Sequence, residues 1–407
     1  MRERSSAALL MLRPAVVVLL VTADPFIIGL ALPDVMDGLG LHAGQVNRAT
    51  AVLSVYLLGA AVGVWSTGRT RVHVGGRWPA PTLAGFAVAS AVAGSVHSLG
   101  PFLVARGLQG LAAGALVPVV WRAVDDARQA LVALAACLVP ALGPPVGMFL
   151  LSAWSWRAVC WAEAILALAL AWRWWHTGGV SEAARADIGR PNRAVIAAGA
   201  VAGLAATGLA ALVVYVPLFT RTTRDPRSAS EAGAISLRAL LPFALVAFAM
   251  LVLRPRPSRP LIVFGLLLAA GGLSGMSFWN GTTLRGIGCW FELIAVGAGL
   301  GLVALPLAMW CGSAARAAGA ALLGAGLGLA ALTANGLMVF HDRMRHVLAP
   351  EDLCPTAPAQ CAEYEHYARE AVLDQLRAVF VGAALCVALA ATIAALMLRT
   401  AGRRVSA

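Results

Sequence analysis

Residues 14–33 read PAVVVLLVTADPFIIGLALP, twenty positions that carry a single charge, Asp24, near their centre. As a helix this run is about 30 Å long, the thickness of a bilayer's hydrocarbon core. The run is too long for a signal-peptide core and poor in small cleavage-site residues, and Asp24 lies inside it. It therefore reads as a resident transmembrane helix. A charge held there costs at least about 2.5–3.5 kcal/mol, so Asp24 must have a partner or a function.

Eleven further apolar runs follow, at about 50–67, 80–98, 101–121, 129–152, 157–175, 194–220, 237–253, 260–279, 287–311, 314–340 and 376–398. Twelve spans agree with a composition that is 60% hydrophobic and 12% charged, and with a mean hydropathy of +0.81. The polar, Gly- and Pro-bearing stretch 176–193 divides six spans from six. The expected organisation is an N-terminal bundle at 1–175, a cytoplasmic linker at 176–193 and a C-terminal bundle at 194–407, with an outer loop at 341–375.

All 31 basic residues are arginine, against 19 acids, for a net charge of +12. Without lysine there is no Walker A phosphate clamp and no Schiff-base site for pyridoxal phosphate or retinal. No HExxH or GxSxG is present either, so the sequence points to no enzyme, no metal and no cofactor. So little charge on so apolar a chain makes no phosphate-binding face, which argues against a nucleic-acid partner. The arginines report topology instead. With the N-terminus in the cytoplasm, 19 arginines and five acids fall on cytoplasmic segments, against 11 arginines and eleven acids outside. One stretch resists this assignment, because Arg221, Arg224, Arg227 and Arg238 all fall on the outer side.

Four charges stand within spans: Asp24, Arg106, Glu163 and Glu292. A carboxylate pulled one way by desolvation and the other by a nearby cation can load and release a proton, and Arg106 is the sole intramembrane cation. In the outer loop, Cys354 and Cys361 in CPTAPAQC are spaced to close a small disulfide in an oxidising compartment. The loop's His341, His346 and His366 fit no tight metal-ligand spacing. Nine tryptophans near span ends read as an aromatic belt, while Trp121, Trp161 and Trp290 are candidates for an aromatic wall around an apolar or cationic substrate.

Four motifs in order give the first half a resemblance to the major facilitator superfamily, and within it to the fourteen-helix multidrug proton antiporters. Asp24 is followed by Ala31-Leu32-Pro33, with Gly29 where the family has asparagine. ARGLQGLAAGALVP (105–118) carries the Arg-x-x-Gln-Gly pattern in Arg106, Gln109 and Gly110, with Pro118 downstream. GPPVG supplies Gly143, Pro144 and Gly147 of the antiporter motif, and Trp156-Arg157 opens the sixth helix. After the second helix, Gly68, Gly75 and Arg77 match the family's gating loop, but Val72 stands in place of its aspartate. Glu163 stands where asparagine is usual. Two inserted helices of the long branch are missing, since YVPLF (215–219) follows directly in the seventh span.

The resemblance implies an all-α integral membrane protein with twelve transmembrane helices in two six-helix bundles. It further implies a secondary active transporter exporting a small amphipathic compound or drug against protons, by alternating access. Asp24 and Arg106 would couple the proton, with Glu163, Glu292 and Gln109 touching substrate or proton. The expected setting is a bacterial inner membrane with both termini cytoplasmic, the bilayer and a small molecule as partners, and a monomer. Two alternatives remain open: an importer of the same fold, and a transporter-like assembly partner or sensor that has lost coupling, which Val72 and Gly29 motivate.

Overall fold

The computed structural model describes residues 2–41, 45–69, 78–122, 126–177, 193–222, 229–254, 258–280, 288–311, 313–354 and 361–397. They form thirteen helices: α1 (Arg2–Gly38), α2 (Val46–Arg69), α3 (Pro79–Ser95), α4 (Leu99–Arg122), α5 (Asp126–Ala153), α6 (Trp156–Thr177), α7 (Arg193–Thr222), α8 (Ala229–Leu253), α9 (Arg259–Met276), α10 (Gly288–Trp310), α11 (Ala314–Met344), α12 (Pro350–Leu353) and α13 (Ala362–Met397). All but the one-turn α12 correspond to the twelve apolar runs. Ten are long and apolar enough to cross a membrane, while α3 (17 residues) and the apolar stretch Leu138–Ala153 of α5 are shorter. The chain is a multi-pass membrane protein. Most of the 176–193 linker, with Gly75, Arg77 and Val72 of the expected gating loop, lies outside the described residues; Gly68 lies in the last turn of α2.

The helices pair in a pattern that repeats. Within the first six, α2 lies on α4, α3 on α6 and on α4, and α1 on α5, α4 and α6. Within the second set, α8 lies on α10, α9 on α13 and on α10, and α7 on α11, α10 and α13. Each pairing of the first half thus recurs in the second. The halves meet where α2 touches α11 and α5 touches α8, two contacts that the same exchange interconverts, and along α1 and α7 on the pseudo-axis.

Small residues set how closely these helices approach, because lipid supplies no hydrophobic drive and van der Waals contact must do so. On α4, a side chain at Gly110 or Gly114 would strike the backbone carbonyls of Tyr56 or Ala60 on α2. On α5, Gly143 and Gly147 lie against Phe26 and Leu30 of α1. In the matching helix pair of the second half, Gly324 and Gly328 of α11 lie against Gly203 and Thr207 of α7. The glycines of the antiporter motif and the GxxxG of α11 therefore do the same job in the two halves.

Several helices run well beyond a bilayer, among them α11 with 31 residues and α13 with 36, about 46 and 54 Å. Much of the stretch read from sequence as a loop, 341–375, is in fact helical. Residues 362–375 are polar, so an apolar scan stops short of them. They are nonetheless good helix formers, with Glu363 and Glu365 in the first turn and Asp374 and Arg377 paired at 2.9 Å. Arg343 reaches Asp374 (3.6 Å) and Glu370 (3.8 Å) across the two helices. Cys354 and Cys361 form a disulfide that joins the end of α12 to the start of α13, with Cα atoms 5.6 Å apart.

Hereafter the near end is the one where α1 starts, and the far end the one where α1 stops.

Candidate functional site

Arg106 lies inside the first half, fully buried, on a face of α4 that it shares with Gln109 one turn later. Its two terminal nitrogens donate to the two oxygens of Asp24 on α1, Nη1 to Oδ1 at 2.8 Å and Nη2 to Oδ2 at 2.7 Å. This is the bidentate fork that makes an arginine–carboxylate pair strong and directional. Nη1 also donates to Gln109 Oε1 at 2.7 Å. The Gln109 amide continues the chain, donating from Nε2 to Ser90 Oγ on α3 (2.8 Å) and to Glu163 Oε2 on α6 (3.1 Å). Asp24, Ser90, Arg106 and Gln109 are inaccessible to solvent, and Glu163 is 7% exposed.

Tyr56 of α2 completes the enclosure. Its ring stacks under the guanidinium, 4.4 Å from Cζ to the centroid, and its hydroxyl donates to the Val21 carbonyl at 2.7 Å. The reason is local: Pro25, four residues on, has no N–H to give that carbonyl, so the proline kink beside Asp24 frees an acceptor that Tyr56 fills. Sequence reading missed both Tyr56 and Ser90. A proline four residues after Val21 was the available signal for a missing donor, although it does not say which residue supplies one.

The network therefore contains two carboxylates and one guanidinium, all withdrawn from water and held by five helices. Arg106 balances Asp24. Glu163 receives the neutral amide of Gln109 and lies within hydrogen-bond reach of the Asp24 carboxyl. Desolvation penalises any buried charge left without a counter-charge, and one guanidinium serves two carboxyl groups here.

The other expected site residues lie elsewhere. Glu292 sits near the far end of α10, where it accepts a hydrogen bond from the indole of Trp279 and closes over Gly275 of α9. It belongs to the second half and does not join the Asp24 network, standing one turn inside an α10 that begins at Gly288. Trp161 and Trp290 are 46% exposed on different halves, so they form no shared wall, and Trp290 lies instead beneath Arg238 at 4.1 Å. Gly29 also gains an explanation, since a side chain there would meet Val213 of α7, which passes too closely for asparagine.

At the far end, Arg221 of α7 grips Asp34 of α1 through two bonds of 2.9 and 2.8 Å. This clasp ties one half to the other, and it accounts for an arginine that broke the charge asymmetry of the sequence. Arg157 at the start of α6 donates to the carbonyls of Gly38 and Val96 at 3.4 Å, pinning the far ends of α1 and α3.

Residues 15–340 match the family described as Major Facilitator Superfamily. A triacylglyceride transporter of Mycolicibacterium smegmatis is 27% identical over 474 aligned residues, covering 90% of this chain and 83% of that protein. Another from Mycolicibacterium hassiacum is 30% identical over 52% of this chain, and the match spans only 41% of its length. The multidrug resistance protein MdtL of Klebsiella pneumoniae is 30% identical over 33% of this chain and 36% of its own length. The fold is similar to that of a bacterial homolog of the human lysosomal transporter Spinster in an inward-facing, occupied conformation, with a TM-score of 0.72, 16% identity and 97% of each chain covered. A D-xylose–proton symporter aligns with a TM-score of 0.61 at 16% identity, over 93% of this chain and 96% of that one. With the family match covering most of the chain and the repeated six-helix architecture beneath it, this protein belongs to the Major Facilitator Superfamily of transporters.

Proposed function

We propose that the protein is a proton-coupled exporter of an uncharged or weakly polar amphipathic compound, sited in a bacterial inner membrane with the near end cytoplasmic. The observation that carries this reading is the buried imbalance of two carboxylates against one arginine. In this reading Asp24 stays locked to Arg106 as the fixed member. Glu163 is the group that gains a proton when the site faces outside and loses it when the site faces the cytoplasm. Gln109 bonds to both sides and transmits the change to α4. The excess of arginine on near-end segments supports the orientation. The names of the relatives, which speak of triacylglycerides and of drugs, support an apolar cargo.

The test is transport in proteoliposomes under an imposed pH gradient, with Nile red and a fluorescent diacylglycerol, both uncharged, as probes. Wild type is expected to move at least one probe in a gradient-dependent way. Glu163→Gln, which fixes the neutral form, is expected to lose gradient-driven flux at least tenfold while retaining energy-independent counterflow. Gradient-driven flux unchanged in Glu163→Gln would overturn the assignment. Accumulation in the reverse direction would favour an importer, and binding without counterflow a sensor.

A further inference from the structure

Between α2 and α11 runs a groove of about 980 Å³ that takes no part in the Asp24 network. Its walls are Asn47 to Leu58 of α2 and Ala330 to Arg345 of α11. It closes towards the near end, where Gly326 fits against Leu58 and Gly319 against Trp65. The walls are about 16 and 22 Å long at the rise of a helix, against roughly 15 Å for one hydrocarbon leaflet. The groove thus has the length of a single leaflet.

Its chemistry is graded along that length. The deep part is mostly aliphatic, lined by Val55, Leu58, Ala330, Ala334 and Leu337, with Thr333 among them holding its hydroxyl on Tyr215 and the Leu329 carbonyl. The charged groups collect at the far-end rim, where Arg345 and Asp342 pair with each other at 3.1 Å and leave no net charge for a head group to answer. Met338, 67% exposed, stands on the lip and joins the groove to the apolar outer surface. Seven residues below Asn47, about 10 Å deeper, Ser54 lines the groove, and its buried hydroxyl has no hydrogen-bond partner. Water filling such a slot would face mostly apolar walls, and an orphaned hydroxyl that far down calls for an acceptor carried in by the occupant.

We infer that the α2–α11 groove is a binding site for an uncharged acyl-ester lipid, a glyceride whose chain lies along the aliphatic walls and whose ester carbonyl accepts from Ser54. A phospholipid fits less well, since its charged head holds the esters near the interface and the self-paired rim offers it no counter-charge. The inference gives the proposed export a cargo class and rests on that reading only in calling the occupant cargo. Binding itself needs no proton gradient, so the two ideas fail separately.

The experiment uses the purified full chain in nanodiscs, with no pH gradient, and a photoactivatable diacylglycerol as probe. Mapped adducts are expected on residues 51–58 and 330–338. Ala334→Trp, which fills the groove from its exposed wall, is expected to reduce that labelling at least fivefold with thermal stability unchanged. Ser54→Ala is expected to weaken competition by an ester glyceride two- to tenfold while leaving competition by its ether analogue unchanged, the span of one net hydrogen bond. Adducts spread over the lipid-facing α6 residues Ile165 and Leu168 to the same extent, or labelling that Ala334→Trp leaves intact, would overturn the site. So would stronger competition by phosphatidylglycerol than by the glyceride. A wild-type chain that binds the glyceride yet shows no gradient-driven flux would sink the proposed coupling and leave the groove standing.

Discussion

Arg106 is the cation on which the buried network turns, and removing it strands Asp24 without a counter-charge. Arg106→Ala should therefore destabilise the protein by about 3–5 kcal/mol, the usual cost of breaking a buried pair from one side. The double variant Asp24→Asn/Arg106→Gln, which removes both charges, should recover most of that loss. Thermal unfolding in detergent checks the difference, and equal destabilisation by both variants would contradict it. Asp24, Arg106, Gln109 and Glu163 were legible in the sequence because charges and amides are rare inside apolar runs. Ser90 was not, since one serine in a small-residue helix looks like any packing residue until Gln109 is seen to reach it. The clasp between Asp34 and Arg221 was equally hidden, because its members stand 187 positions apart and each reads alone as an ordinary helix-end charge.

Among the helices, the pairing of α2 with α4 makes the sharpest demand on sequence, since α4 presents glycine wherever α2's backbone comes closest. Gly114→Val places methyl groups on the Ala60 carbonyl and should sharply reduce the yield of folded protein. Gly100→Ala and Gly85→Ala meet nothing within 4 Å and should be neutral or stabilising by up to about 1 kcal/mol, alanine being the better helix former. Monodisperse yield and melting temperature after membrane extraction separate the two classes. Helix existence was legible almost throughout, because the apolar runs alone dictate it. The ends of α8 and α13 were not. α8 starts at Ala229 and α13 at Ala362, both through polar turns that hydropathy does not register but that helix propensity and ion pairs sustain.

Taken whole, the molecule is a duplicated scaffold in which the two halves share their packing and differ in their chemistry. The carboxylate–arginine network occupies the first half, while the second answers with an uncharged pair, Tyr215 and Thr333, joined at 2.7 Å. Such a division predicts that the halves must move against each other with the far-end clasp released in one state. The paired cysteine variant Asp34→Cys/Arg221→Cys should lock α1 to α7 under oxidation, abolish counterflow, and regain it on reduction. Transport unaffected by a verified cross-link would refute a moving far end. The charge-swapped variant Asp34→Arg/Arg221→Asp should restore part of the activity that either single swap removes. Twelve spans and a six-plus-six partition were readable from the chain, whereas the correspondence between the glycines of α5 and α11 needed the helices in place.

Under the proposed coupling, the surplus of one buried carboxylate over its arginine also sets a ceiling on the work the protein can do. In that scheme one unbalanced acid carries one proton per turnover. A single charge falling through 100 mV releases about 2.3 kcal/mol, and each tenfold concentration ratio consumes about 1.4 kcal/mol. An uncharged cargo can then be held at no more than about a 50-fold gradient for every 100 mV of membrane potential, with any pH difference adding its own factor. A steeper gradient at steady state would require a second ionisable group to ride along.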